Sequence, residues 1–229
     1  MHAQGHAVEP FPVTLHAGPV ALLGDLAVPP DASAIIVFAH GSGSSRQSPR
    51  NRAVAQSLVD DGFATLLFDL LTREEESAER YTRHLRFDIP LLADRLVSAI
   101  EWVNRHDQLP ALPVGLFGAS TGAAAALIAA TRADIGAVVS RGGRPDLAGD
   151  ALSRVRCPTL LIVGGADIEV IELNRRAMQK LSAPTALHIV PQAGHLFEEP
   201  GALREVIGVA SAWFRKHLAT SRREQHVGL

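Results

Sequence analysis

The sequence predicts an α/β fold: a mostly parallel sheet with an antiparallel N-terminal hairpin and helices on both faces. Three observations lead there. Two short β-rich runs lie at the start, separated only by Ala17, Gly18 and Pro19. Continuous apolar runs of strand length follow, as expected of strands buried on both faces. Stretches with helical spacing separate those runs, the pattern that builds βαβ units.

The hairpin strands are Phe11 to Ala17 and Val20 to Pro29. "SAIIVFAH" (Ser33 to His40) is the first buried strand, followed by the glycine- and serine-rich loop "GSGSSRQSPR". "NRAVAQSLVDDG" predicts a helix with Ala53, Val54, Ser57 and Leu58 on its inner face and Gly62 as its stop. "FATLLFDLL" is a buried strand ending near Asp69. The segment from Thr72 to Arg86 is crowded with charge and reads as solvent-facing. A long helix is expected from about Asp88 to Arg105, with Ile89, Leu92, Leu96, Ala99, Ile100 and Val103 inward. "PVGLF", "GAVVS", "TLLIVGG" and "TALHIV" are the remaining strands. Further helices are expected at Glu172 to Leu181 and Ala202 to Leu218, before a polar tail from about residue 219.

The composition narrows the function classes. The chain has 229 residues, 47% of them hydrophobic, which suits one domain with a substantial core. A net charge of −2 gives no electrostatic reason to expect nucleic acid or an anionic membrane. Cys157 is the only cysteine, which excludes an intrachain disulfide, and its place before Pro158 and an apolar run fits a buried hydrophobe. The N-terminus has no basic stretch followed by an apolar core, and no apolar run is long enough to span a bilayer. The expectation is a cytoplasmic protein.

Right-handed crossovers put the loops that follow the strands along one edge of the sheet, where ligands bind in such folds. Gly118-Ala119-Ser120-Thr121-Gly122 has the form G-x-S-x-G between a strand and an alanine-rich helix, the context in which a nucleophilic serine is lifted clear of the sheet. By itself so short a pattern also arises by chance, as a turn before a helix. A serine hydroxyl needs a base. Of ten histidines, His2, His6 and His226 lie near the ends, His106 and His217 near helix C-termini, His188 in a strand and His84 in the charged segment. His195, in "PQAGHLFEEPG" directly after the last strand, is the candidate base. Asp167, after "TLLIVGGA", is the candidate acid, although aspartate there also suits a helix N-cap. Asp146 is the second choice and Asp69 the third. The order Ser120, Asp167, His195 is that of the α/β-hydrolase triad. The oxyanion donors are expected to be the backbone N–H groups of Thr121 and Ser42. The Ser42 loop has no lysine and no nucleotide-binding glycine spacing, so a phosphate cradle is disfavoured.

"AHGSGSS", "GASTG", "GGADIEV" and "AGHLFEEPG", in this order, resemble the α/β-hydrolase superfamily across nearly the whole chain. Within it the sequence is most similar to the compact dienelactone-hydrolase-like branch, including hydrolase domains sometimes fused to a phosphoribosyltransferase domain. Dienelactone hydrolases themselves carry a cysteine nucleophile, whereas position 120 is serine, which points toward general carboxylic-ester chemistry. Only about eighteen residues join "GAVVS" to "TLLIV", too few for a lid, so an open site and short acyl groups are expected. Arg141 is the first candidate for a contact to a substrate anion; the alternative for it and Arg144 is a salt bridge to a loop acid such as Asp146. Arg46, Arg50 and Arg52 are further candidates or plain surface.

The expected function is hydrolysis of small carboxylic esters through an acyl-enzyme, with no metal or organic cofactor. Thioesterase, lactonase or acyltransferase chemistry on the same residues, and a non-catalytic binding protein with this fold, are the alternatives.

Overall fold

The computed structural model describes residues 8–82, 84–107 and 109–224. His2, His6 and His226 therefore lie outside the described residues. Eight strands form one sheet: β1 (Phe11–Ala17), β2 (Val20–Ala27), β3 (Ile35–Ala39), β4 (Ala64–Phe68), β5 (Val114–Ala119), β6 (Ala137–Arg141), β7 (Thr159–Gly164) and β8 (Thr185–Val190). Their order is β1-β2-β4-β3-β5-β6-β7-β8. β1 pairs antiparallel with β2, and β2 with β4; every other pairing is parallel. The hairpin turns on Gly18, whose φ of 58° is open to glycine without strain.

Among the described residues the α-helices are α1 (Pro49–Asp60), α2 (Arg73–Thr82), α3 (Ile89–Arg105), α4 (Thr121–Ala129), α5 (Ile168–Met178) and α6 (Ala202–Glu224). Side chains of α3 and α4 pack with β1 and β2 and one face of the central strands. Side chains of α1 and α6 pack on the other face, against Phe38, Phe117 and Ile162. α3 starts where Asp88 accepts the Leu91 N–H at 3.1 Å and Pro90 occupies the first turn. All six of its expected inward residues are buried.

Four expectations need correction. On α1 the buried residues are Asn51, Val54, Ala55, Leu58 and Val59, while Ala53 is exposed. The helix is rotated by about one residue from the expected face, and alanine is too small to fix that choice from sequence. α5 begins four residues before Glu172, because Asp167 sits at its N-cap position. The Thr72 to Arg86 segment is not a plain surface stretch: α2 and a 3-10 turn at Leu85–Phe87 wrap the fully buried Glu79. α6 runs to Glu224, so the first part of the expected tail from 219 is helical; the remainder lies outside the described residues.

Between β6 and β7 the chain forms only a 3-10 segment at Pro145–Arg154, and no lid is inserted there. No helix among the described residues is long and apolar enough to cross a membrane.

Candidate active site

The C-terminal ends of β3, β5, β6, β7 and β8 bring the candidate residues to one edge. Ser120 joins β5 to α4 with φ 51° and ψ −122°. A non-glycine residue in that region costs on the order of 1–3 kcal/mol, so the surroundings must hold it there. They do. The Ser120 N–H donates to Arg141 O at 3.2 Å, and its carbonyl accepts the N–H groups of Ala123 and Arg144, both at 3.1 Å.

The flanking glycines are needed for close approach. A Cβ on Gly122 would stand 2.2 Å from Ala39 O and 2.5 Å from His40 O; one on Gly118 would stand 2.5 Å from Ala123 Cα. The turn therefore brings α4 against the end of β3, closer than any side chain allows.

His195 lies in the loop after β8, and its Nδ1 is 2.7 Å from Asp167 Oδ2. Asp167 has the backbone of an N-cap, with φ −94° and ψ 67°, and its carbonyl accepts the Ile171 N–H. Yet its side chain caps nothing. The carboxylate is spent on His195, and helix start and histidine partner coexist in one residue. The His195 side chain is 39% exposed and that of Asp167 17%, so Asp167 orients from below while the ring faces solvent. The β6 end links this pair to the serine. A Cβ on Gly142 would lie 3.0 Å from His195 O and 3.7 Å from His195 Cε1, and the preceding Arg141 carbonyl holds the Ser120 N–H. Ser120 Oγ itself makes no hydrogen bond among the described residues.

The other carboxylates are committed elsewhere. Asp146 pairs with Arg144 through two bonds of 2.9 and 2.8 Å. Asp69 accepts the Arg46 N–H at 2.8 Å and also pairs with the Arg46 guanidinium. Arg46 further meets Asp25 at 3.3 Å, so it is a brace for its loop. Arg52 bonds Gln47. Among the other histidines, His188 meets Glu205 at 2.7 Å, His106 meets Trp102 edge-on, and His217 lies tilted against Trp213. Cys157 is buried, and burial pushes its thiol up to about 11, away from nucleophilic use. Among the described residues no group of three or more His, Cys, Asp or Glu could hold a metal ion.

The Gly41–Ser44 loop contains a hydrogen-bond chain that the sequence did not reveal. Ser42 Oγ donates to Arg86 O at 3.0 Å. A carbonyl only accepts, so in the 2.9 Å pair between Ser42 Oγ and Thr121 Oγ1 the threonine donates. Thr121 Oγ1 in turn accepts the Ser42 N–H at 3.0 Å. The expected oxyanion amide of Ser42 is thus engaged in the resting state. Arg86 is fixed by Glu79, which accepts the N–H groups of His84, Leu85 and Arg86, the Thr82 hydroxyl and Arg86 Nε. Burial would raise the Glu79 carboxyl, but these donors overcome it and hold it at about 2.

His40 anchors the start of the loop. Its Nδ1 is 2.9 Å from Gly41 O and must donate to that carbonyl, while its Nε2 accepts the Leu70 N–H at 3.0 Å. Burial lowers its pKa, which fits a neutral ring with both nitrogens used. A cleft of about 490 Å³ opens beside the loop, lined by residues including Gly43, Asp69, Arg73, Glu76 and Arg86. A larger cavity of about 720 Å³ lies between the β1–β2 turn and the end of α3, lined by residues including His16, Gly18, Trp102 and His106.

The sheet order, the strained serine between β5 and α4, and the acid and histidine after β7 and β8 define the α/β-hydrolase class. The chain belongs to the dienelactone hydrolase family, whose model matches residues 22–217. It is therefore a hydrolase by family. It is similar, at 54% identity and a TM-score of 0.91, to the crystal structure of dienelactone hydrolase from Anabaena variabilis ATCC 29413, covering 93% of this chain and 100% of that one. An esterase of Pyrococcus furiosus shares the fold alone, at 16% identity and a TM-score of 0.72, with 92% of each chain covered. A Mycobacterium tuberculosis protein, provisionally described as a phosphoribosyl transferase, is 56% identical over 208 residues. That match covers 90% of this chain and 46% of the relative, so the chain spans about half the length of the curated relatives it matches.

Proposed function

We propose that the protein hydrolyses small carboxylic esters through an acyl-enzyme on Ser120. The observation that carries this reading is the strained Ser120 turn on the same sheet edge as the 2.7 Å pair of His195 and Asp167. A serine held at φ 51° is an arrangement whose cost is offset when the hydroxyl must stand free above the sheet.

In the proposed cycle Ser120 Oγ attacks the ester carbonyl carbon while His195 Nε2 takes the hydroxyl proton. The C=O π electrons move to oxygen. The N–H groups of Thr121 and Ser42 stabilise that oxyanion, the latter by exchanging Thr121 Oγ1 for the substrate oxygen. The intermediate collapses, the C–O bond to the alcohol breaks, and His195 Nε2 returns its proton to the departing oxygen. Water then attacks the acyl carbon and gives its proton to His195. Ser120 leaves with that proton, releasing the carboxylic acid. Asp167 keeps the Nδ1–H tautomer and stabilises the imidazolium. No step calls on a metal or organic cofactor. The open edge favours short acyl groups, and a cytoplasmic location belongs to the same reading.

The test is hydrolysis of p-nitrophenyl esters from acetate to laurate by wild type and Ser120→Ala. The expected result is activity greatest on short chains and lost in Ser120→Ala. Activity that survives in Ser120→Ala overturns the nucleophile; a wild type inactive on every chain length counts against ester hydrolysis itself.

A further inference from the structure

One short segment after β6 holds the Ser120 turn from both sides. The Ser120 N–H donates to Arg141 O at 3.2 Å, and the Arg144 N–H donates to Ser120 O at 3.1 Å. Between them the Gly142 N–H donates to Ile162 O of β7 at 2.8 Å. Arg141 acts on the serine through its carbonyl. Its side chain is buried, and its Nε and Nη1 make no hydrogen bond among the described residues. Asp146, its expected partner, is paired with Arg144 instead, and Glu198 with Arg50 at 3.1 Å.

The middle of this segment has no side chain to brace it. A Cβ on Gly143 would stand 1.9 Å from Ser140 Oγ and 2.6 Å from Ala123 Cβ, so only glycine lets the backbone lie this close to β6 and α4. The brace comes from α5. Asn174 Nδ2 donates to Gly143 O at 3.0 Å and to Val170 O at 2.8 Å, which uses both amide protons. Asn174 is 0% exposed, and its Oδ1 is sealed and without a hydrogen-bond partner. An amide with an unmet acceptor is a costly way to fill space that an apolar side chain could fill. Its bond to Gly143 O gives it a task that an apolar side chain lacks.

The same helix carries the partner of the candidate base. Asp167 is the N-cap of α5, and Asn174 follows about two turns later, on the buried face with Val170, Ile171 and Ala177. At one end α5 orients His195; on its inner face it ties down the segment that clamps Ser120. Gly142, one residue before the tie, abuts His195 as well.

We propose that Asn174 is a positioning residue for the reaction: through Gly143 O it locks the 141–144 segment to α5 and so keeps Ser120 in register with His195 and Asp167. It touches neither the substrate nor the reacting atoms. A shift of about 1 Å between reacting groups can cost about 100-fold in rate, while binding of a small ester on an open edge is little affected.

The inference rests on the ester-hydrolase reading, and its test separates the two. Wild type is compared with Asn174→Leu, with Asn174→Ala as a second variant, and with Ile171→Ala, which thins the buried face of α5 and leaves the tie in place. Values of kcat and KM on p-nitrophenyl acetate are taken per active site, counted from the end point of phosphonate labelling. Hydrogen exchange is followed by mass spectrometry in peptides covering 117–123 and 141–147, which contain the Ser120 and Arg144 amides. Both Asn174 variants are expected to lose about tenfold or more in kcat per site, with KM changing less than threefold. Exchange in the two peptides is expected to quicken about tenfold, with that of β3 unchanged. Ile171→Ala is expected to keep kcat within threefold even where its melting temperature falls further. If both Asn174 variants keep kcat per site within threefold of wild type, the asparagine is merely structural and the inference is overturned. An equal loss of kcat in Ile171→Ala overturns it too, since the rate then follows the packing of α5. If wild type cleaves no ester but exchange quickens only in the two peptides of the Asn174 variants, the esterase reading fails and the tie stands. If wild type is active while exchange and kcat are unmoved in those variants, the tie fails and the esterase reading stands.

Discussion

The Ser42 N–H donates to Thr121 Oγ1 at 3.0 Å, so one expected oxyanion donor is occupied by the side chain of the residue that supplies the other. In the proposed mechanism the threonine hydroxyl takes up the N–H that the substrate oxygen would use. Thr121→Val keeps the shape and removes the competing acceptor. Its kcat/KM on p-nitrophenyl acetate is expected to rise several-fold. The loss of the bond to Ser42 Oγ is expected to cost about 1 kcal/mol of stability, read by urea denaturation.

Asp167 and Asp146 both stand in loops after strands, but only Asp167 touches His195. Asp167→Asn is expected to lower kcat on the order of 10³–10⁴-fold, because the amide no longer enforces the Nδ1–H tautomer. Asp146→Asn breaks a surface pair with Arg144 and is expected to change kcat less than threefold. Steady-state kinetics of the two variants side by side checks the choice of acid.

Glu79 gives a pH signature. Its carboxyl lies at about 2 in the fold against an ordinary 4.5. The unfolded chain therefore takes up the proton first as pH falls. The stabilisation is fully present above about 4.5 and is lost progressively as pH drops from there toward 2. Melting temperatures of wild type are expected to fall more steeply over that window than those of Glu79→Gln. Parallel slopes would show that the carboxylate does not hold the turn at Leu85–Phe87.

Gly122→Ala places a methyl 2.2 Å from Ala39 O. Backbone cannot yield as a flexible side chain does, so α4 must move off β3. The expected cost is at least 1–3 kcal/mol, with ester hydrolysis lost along with the nucleophile turn. Thermal unfolding and p-nitrophenyl acetate assays on the purified variant test this.

Much of this architecture was legible because the sequence repeats its signals at several levels. β3, β4, β5 and β7 are buried on both faces and read as unbroken apolar runs. α3 carries its cap, its proline and its apolar stripe together. Ser120, Asp167 and His195 were readable because each follows a strand that could be placed. Glu79 was not, since a buried carboxylate within a charged segment is identified only by its donors, which are mostly backbone N–H groups of residues 84–86. The engagement of the Ser42 amide depends on the rotamer of Thr121, which no spacing encodes. The unpartnered state of Arg141 depends on where Asp146 and Glu198 find their own cations.

The most direct test of Ser120 as nucleophile is stoichiometric reaction with a p-nitrophenyl alkylphosphonate. It displaces p-nitrophenol and leaves a phosphonyl group on an activated serine. The release of one equivalent of p-nitrophenol is measured together with the mass of the modified peptide. The expected result is a single adduct on the peptide containing Ser120, absent from Ser120→Ala and formed far more slowly in His195→Gln. An adduct on another residue, or equal labelling of Ser120→Ala, would contradict it.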